Sequence, residues 1–372
     1  MNVHENEVFS ENPEKDMWRE LLQFTYEANI IRYLNKNEHG IDEGTVNCIS
    51  GSFLQAYEYY KSAKDANLQI APLLLYYGTT NLLYGMTNLF SGTINKISNH
   101  GMKIFIPEKK NFIAETNIRF LSPKDGGVHI IARSLGYKED LTGFGDWKLS
   151  EFLDSIAEIN GDYTQCYNVN CGKIVMLDVF NTPDGKVEKV YHTPENVDEI
   201  YTLLCHIENF SESYLPITSA KDGRKGTEYF ILRHKLNGND ISEISYSGQP
   251  YLRAAHEKNS KMVTVPTILS MYISLFVLAS LCRYYPEQWS PFVLKDTTGE
   301  KLLIEKFMYY ARRMIPNIVL NRIFERDIHY ISNKYQATDT IKLVGEHQVQ
   351  DIVKKELRRQ IDREQFTRRN SR

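Results

Sequence analysis

The fold turns on "LQIAPLLLYYGTTNLLYGMTNLF", Leu68 to Phe90, a run without one charged side chain. A second such run, "MVTVPTILSMYISLFVLASLC", extends from Met262 to Cys282. Each approaches the length of a membrane span. Both are interrupted by polar residues, neither has flanking basic clusters, and each has a proline where a helix would take its first turn, Pro72 and Pro266. A helix that is apolar on every side is a buried helix. The two runs are therefore expected to bury one another at the centre of a bundle, and no membrane is expected.

Working outward, "PEKDMWRELLQFTYEANIIRYLN" places Trp18, Leu21, Leu22, Tyr26, Ile30 and Tyr33 near helical spacing, and Phe53, Leu54, Tyr57 and Tyr60 continue the pattern. Pro286 stops the second apolar helix. "LLIEKFMYYARRMIPNIVLNRIFERDIHYIS" resumes helical periodicity with a break or new start at Pro316, and a last helix is expected from about Gly345. The middle differs. "MKIFIP", "TNIRFLSP", "GGVHIIARSL", "GKIVMLDVF", "KVEKVYH", "TEYFILRHKL" and "ISEISYS" read as short strands, with "NTPDG" and "NGND" as hairpin connections. The expected class is α+β, mainly α. A helical bundle is built from both ends of the chain, residues 1–98 and 261–372, around a strand-rich insertion over 99–260.

The chain of 372 residues has 42% hydrophobic and 24% charged residues, ordinary for a globular protein. Its five cysteines are odd in number and scattered, and the acidic, polar N-terminus has no apolar signal core, so a reducing cytoplasm is the expected compartment. Net charge is −3, yet the last twenty residues hold eight Lys or Arg against three acids. In that tail Lys354, Lys355, Arg358 and Arg359 form two basic pairs four residues apart, a candidate contact for RNA or another polyanion.

Known catalytic patterns are mostly missing. There is no GxxxxGK[ST] loop, GxSxG elbow or HExxH, and "TGFGDW" has two of the three glycines of a dinucleotide fingerprint. Cys166, Cys171, Cys205 and His206 lack the tight paired spacing of structural zinc. His129, His192, His234 and His256 fall singly in the strand-rich region, with no acid at triad spacing. No cofactor and no metal are expected. "RYYPEQW", Arg283 to Trp289, could stack a base or close the end of the bundle. "GRKGTEYFILRHK" gathers Arg224, Lys225, Arg233, His234 and Lys235 on what reads as an edge strand. His100 in "NHG" fits a helix C-cap.

"IAPLLLYYGTTNLLYG", then "NHG", then "SMYISLFVLASLCRYYPEQW" together resemble the YaaC-like proteins of bacteria. That family has no established activity, so no site residues come with the resemblance. It implies a bacterial protein acting as a non-catalytic scaffold or partner-binding component, within a defence or toxin–antitoxin-type system. A second, shorter likeness lies in "NRIFERDIHYI". Read as one helix, Arg322 and His329 are seven residues apart, roughly 20° short of two turns, with Arg326 on the same face. Arg-x6-His resembles the motif of HEPN-type ribonucleases. The chemistry is coherent: a histidine base takes the ribose 2′-hydroxyl proton while arginine steadies phosphate charge. Such motifs work in pairs across a dimer, and the run Phe307, Met308, Tyr309, Tyr310 offers a face for a homodimer.

Overall fold

The computed structural model describes residues 7–108, 112–122, 126–182, 185–222, 226–326 and 328–331. The chain divides into two compact units, one of residues 1–13 with 328–372, the other of residues 14–327. In chain order the first elements are β1 (Glu7–Phe9), α1 (Pro13–Leu21), α2 (Glu27–Lys36), α3 (Glu43–Asp65) and α4 (Ala71–Ser91). The strand-rich middle follows with β2 (Met102–Phe105), α5 (Phe112–Glu115), β3 (Asn117–Phe120), α6 (Gly127–Ser134), β4 (Trp147–Lys148), α7 (Leu149–Leu153) and α8 (Asn160–Tyr167). It continues through β5 (Ile174–Met176), β6 (Asp178–Thr182), β7 (Gly185–His192), α9 (Val197–Cys205), α10 (Phe210–Ser213), β8 (Thr218–Lys221) and β9 (Glu228–Arg233). Then come β10 (Glu243–Ile244), β11 (Pro250–Arg253), β12 (His256–Lys258), β13 (Lys261–Val263), α11 (Thr267–Tyr284), α12 (Pro286–Lys295), α13 (Glu300–Phe324) and β14 (His329–Ile331). The fold is α+β and mainly helical, with N- and C-terminal helices flanking a central strand-rich region.

The two uncharged runs are α4 and α11, and they pack on each other, Tyr76 stacking on Tyr272 at 5.7 Å. Every residue of α11 from Ile268 to Leu281 is buried. It is the one helix among the described residues long and apolar enough to cross a membrane, and 78% of that window is covered by the protein itself. Pro72 opens α4, where its missing N–H costs nothing, and Gly92 closes it in the left-handed conformation with its N–H on the Asn88 carbonyl. Asp42 caps α3 by accepting from the Thr45 N–H at 2.8 Å. Gly78 and Gly85, two turns apart on α4, let α3 approach: a Cβ at Gly78 would lie 2.7 Å from Tyr60, and one at Gly85 3.1 Å from Phe53.

The strands form antiparallel sheets β2-β3-β4, β10-β11-β5 and β6-β7-β9-β8, and a β12-β13 hairpin. In the other unit β1 and β14 pair in parallel, Glu7 opposite His329. The "NTPDG" hairpin forms, β6 pairing β7 across it. "NGND" does not make one. The strand before it belongs to the four-stranded sheet and the strand after it to another. Gly238 instead presses on α10, where a Cβ would lie 2.5 Å from the Ser213 carbonyl oxygen. "GGVHIIARSL" is helix α6, not a strand. Val128 to Ala132 are all buried, His129 among them, and a short run buried without a break does not separate helix from strand.

Other expectations are corrected in the same way. The first helix is split by a 3-10 segment over Leu22–Thr25. Pro316 lies inside α13 without ending it. Most directly, the single helix expected through "NRIFERDIHYI" ends at Phe324. Glu325 takes a left-handed conformation (φ 50°), the N–H groups of Glu325 and Arg326 both turn back to the Asn321 carbonyl, and His329 is in a strand. Arg322, Arg326 and His329 therefore do not share one helical face. The helix expected from Gly345, with Lys354, Lys355, Arg358 and Arg359, lies outside the described residues.

Candidate functional site

Three segments far apart in sequence meet where α4 packs on α11. From α4 come Tyr76 and Tyr77. The connection after α4 brings His100, and the end of α11 brings Arg283. "NHG" is not the cap of α4, which is Gly92. It is a clamped loop. The Asn99 side chain accepts from the Gly101 N–H at 2.8 Å, and the first N–H groups of α6 close on it, Gly127 to the Asn99 carbonyl at 2.8 Å and Val128 to the His100 carbonyl at 3.1 Å. Gly101 has φ +77°, and a Cβ there would meet Val128 at 2.9 Å, so the turn needs glycine.

The clamp holds the His100 ring against Tyr76 and Phe276, centroids 5.7 and 5.5 Å away, with Nδ1 2.8 Å from the Tyr76 hydroxyl. Tyr76 is buried, and burial followed by the neighbouring Tyr272 raises its pKa, so it stays a neutral phenol. His100 keeps solvent access. Burial of its packed side, then the charge of Arg283, lowers its pKa from the ordinary 6.5. The ring is therefore neutral near pH 7, one nitrogen engaged by Tyr76 and Nε2 left for a ligand. Arg283 is exposed. It donates to the Tyr77 hydroxyl and lies over the face of Tyr284, which is 60% exposed, while Tyr59 packs beside Tyr77 at 5.8 Å.

Trp289 of "RYYPEQW" and the residues that flank the motif, Cys282 and Ser290, are anchoring. The Cys282 thiol at 2.9 Å and the buried Trp289 Nε1–H at 3.2 Å both donate to the Gln69 carbonyl, and the Gln69 amide donates to Ser290. The end of α11 and the start of α12 are thus tied to the entry of α4. This fixes Arg283 relative to Tyr76 and Tyr77.

The other singled-out residues are dispersed. Arg322 and Arg326 are exposed, Arg326 lying over its own neighbour Phe324. In the run expected to form a dimer face, Phe307 and Met308 are buried within the chain, Tyr310 is half-buried and Tyr309 is 55% exposed. Met308 and Tyr309 instead help line a cleft of about 520 Å³ that also carries Lys64, Lys301 and Arg312. β9 is an inner strand of its sheet rather than an edge, and Lys235 donates to the Ser211 carbonyl. His256, which looked solitary, meets Asp154 and Ser155, all three buried. Both partners address the same nitrogen, Nε2, at 3.2 and 2.9 Å, whereas a nucleophilic triad needs the acid and the hydroxyl on opposite nitrogens. That cluster is a structural tie.

The profile of the family described as YaaC-like Protein matches residues 18–323, and the chain belongs to that family. The matched span includes every residue of the Tyr76, Tyr77, His100 and Arg283 cluster. No curated protein and no solved structure matches the chain.

Proposed function

We propose that this YaaC-like protein is a non-catalytic binding component, and that its ligand is a phosphate-bearing group joined to a planar ring, as in a nucleotide or the end of an RNA strand. The observation that carries the reading is the convergence of exposed Arg283, solvent-accessible His100 and half-buried Tyr77 on one surface, with buried Tyr76 holding the His100 ring. A guanidinium grips phosphate through two parallel N–H groups, and neutral imidazole donates or accepts one more hydrogen bond. Tyr284 and Tyr77 supply ring faces on which a base stacks, an interaction worth about 1–3 kcal/mol per base. Nothing in the cluster is arranged to activate a nucleophile: the His100 nitrogen that could pass a proton inward faces a phenol whose pKa is raised, not a carboxylate.

Calorimetric titration with AMP and with a short single-stranded RNA tests this. Wild type binds one or both. Arg283→Ala weakens binding about ten- to a hundredfold, the 1.5–3 kcal/mol of a charged hydrogen bond, and Arg283→Lys restores only part because a point charge loses the bidentate grip. Absence of binding by wild type, or equal affinity in wild type and Arg283→Ala, would contradict the proposal.

A further inference from the structure

We propose that the strand-rich region contains a site for a divalent transition-metal ion of the zinc class, held by Glu188, His234 and Asp240 and occupied in the metal-free protein by the ammonium of Lys186. The strand pattern builds it. On β7 Lys186 and Glu188 point to the same face, two residues apart, and β9 runs antiparallel beside it with Val187 opposite Arg233, which brings His234 alongside that face. The loop that fails to form a hairpin contributes Asp240. Its Oδ1 accepts from the Ser242 N–H and hydroxyl, fixing the carboxylate with Oδ2 turned to Lys186.

The distances describe a cation site. Lys186 Nζ lies 2.8 Å from Glu188 Oε1 and 2.9 Å from Asp240 Oδ2, and His234 Nε2 lies 3.1 Å from Glu188 Oε1. One ligand atom from each of Glu188, His234 and Asp240 falls within 4.8 Å of the other two. Zinc with bonds of about 2.0–2.2 Å needs its donors roughly 3.3–3.5 Å apart. The His234–Glu188 pair already stands near that spacing at 3.1 Å, and the other pairs need to close by at most about 1.5 Å. Glu188 is wholly buried, and its second oxygen accepts from the Tyr214 hydroxyl at 2.6 Å, the kind of outer partner that orients a ligating carboxylate. The His234 ring is braced against Tyr214 at 4.6 Å. Lys186 and Asp240 are 31% and 56% exposed, so the ammonium can swing into water and leave an open fourth position on the solvent side. Charge favours the exchange. Two carboxylates against one ammonium leave a net −1, while two carboxylates and one neutral imidazole neutralise a divalent ion. An imidazole nitrogen with two carboxylate oxygens suits zinc better than magnesium, which prefers oxygen alone.

The test is competition for Zn²⁺ against a chromophoric chelator, with melting temperature measured in parallel, on the intact chain. Wild type takes up one zinc at this site and melts higher with it. Lys186→Ala removes the competing ammonium and binds at least tenfold tighter. Asp240→Asn, at an exposed position, folds normally and binds at least tenfold weaker, and His234→Gln does the same. Glu188→Gln opens a buried ion pair, so its failure to fold would not count in place of the other three. If neither wild type nor Lys186→Ala binds zinc at micromolar concentration, or if uptake persists unchanged in Asp240→Asn and His234→Gln as cysteine binding would, the cluster is an ion pair only and the proposal is overturned.

Discussion

Glu300 shows how a single side chain is placed under strain by the fold. It begins α13 and is almost fully buried, with Oε1 accepting from the Ala114 N–H at 3.1 Å and the Tyr167 hydroxyl at 2.9 Å, while Oε2 has no partner among the described residues. Burial raises its pKa above the ordinary 4.5, more than those two donors lower it. A carboxyl whose folded value lies above its unfolded one contributes full stability below about pH 4.5 and loses it as pH rises through the folded value. Glu300→Gln keeps the Oε1 acceptor and removes the charge. Thermal melts from pH 5 to pH 8 are expected to show the variant gaining on wild type as pH rises, and parallel curves would refute this. Nothing in "TTGEKLL" announces the residue as buried, because its partners come from α5 and α8, more than a hundred residues earlier.

Elements were legible where a local rule fixes them. The uncharged runs, Pro72 and the "NTPDG" turn each carry their own physical signal, and α4, α11 and the β6-β7 hairpin follow. Pro286 marks the end of α11, but helix α12, which it opens, was not expected from the sequence. Misreadings came both where no such marker exists and where packing overrode one, as at "NGND" and Pro316. α6 buries Val128 to Ala132 without a break, and Glu325 ends α13 in a conformation usually reserved for glycine. Glycines on the helices separate packing from propensity. Gly51 on α3 has nothing within 4 Å of a Cβ, whereas Gly78 on α4 would bring one to 2.7 Å from Tyr60. Gly51→Ala should stabilise by about 0.5–1 kcal/mol, since a helical glycine pays excess backbone entropy. Gly78→Ala should destabilise by about 1–3 kcal/mol by forcing α3 and α4 apart. Urea unfolding of the two variants gives the signs, and like signs would contradict this account of the α3-α4 contact.

Across the whole molecule, the parts of the candidate site were individually visible but their meeting was not. His100 and "RYYPEQW" drew attention as separate features, each with a plain structural reading. Only the packing of α11 on α4 brings Arg283 to Tyr77 and close enough to His100 to shift its titration. That contact is a long-range consequence of two apolar helices burying each other, and helical periodicity carries no information about which turn of one meets which turn of the other. The same limit hid the partners of Glu188 and His256. The central claim, that these distant segments form one anion-binding site, is tested most directly by NMR of protein labelled with ¹⁵N in its histidines. Free His100 should titrate below 6.5. With saturating AMP or short RNA its Nε2 resonance should move and its pKa rise, because a bound phosphate favours the imidazolium, and Arg283→Ala should abolish that response. A ligand that binds while His100 neither shifts nor changes its titration, or a response unaltered by Arg283→Ala, would contradict the account.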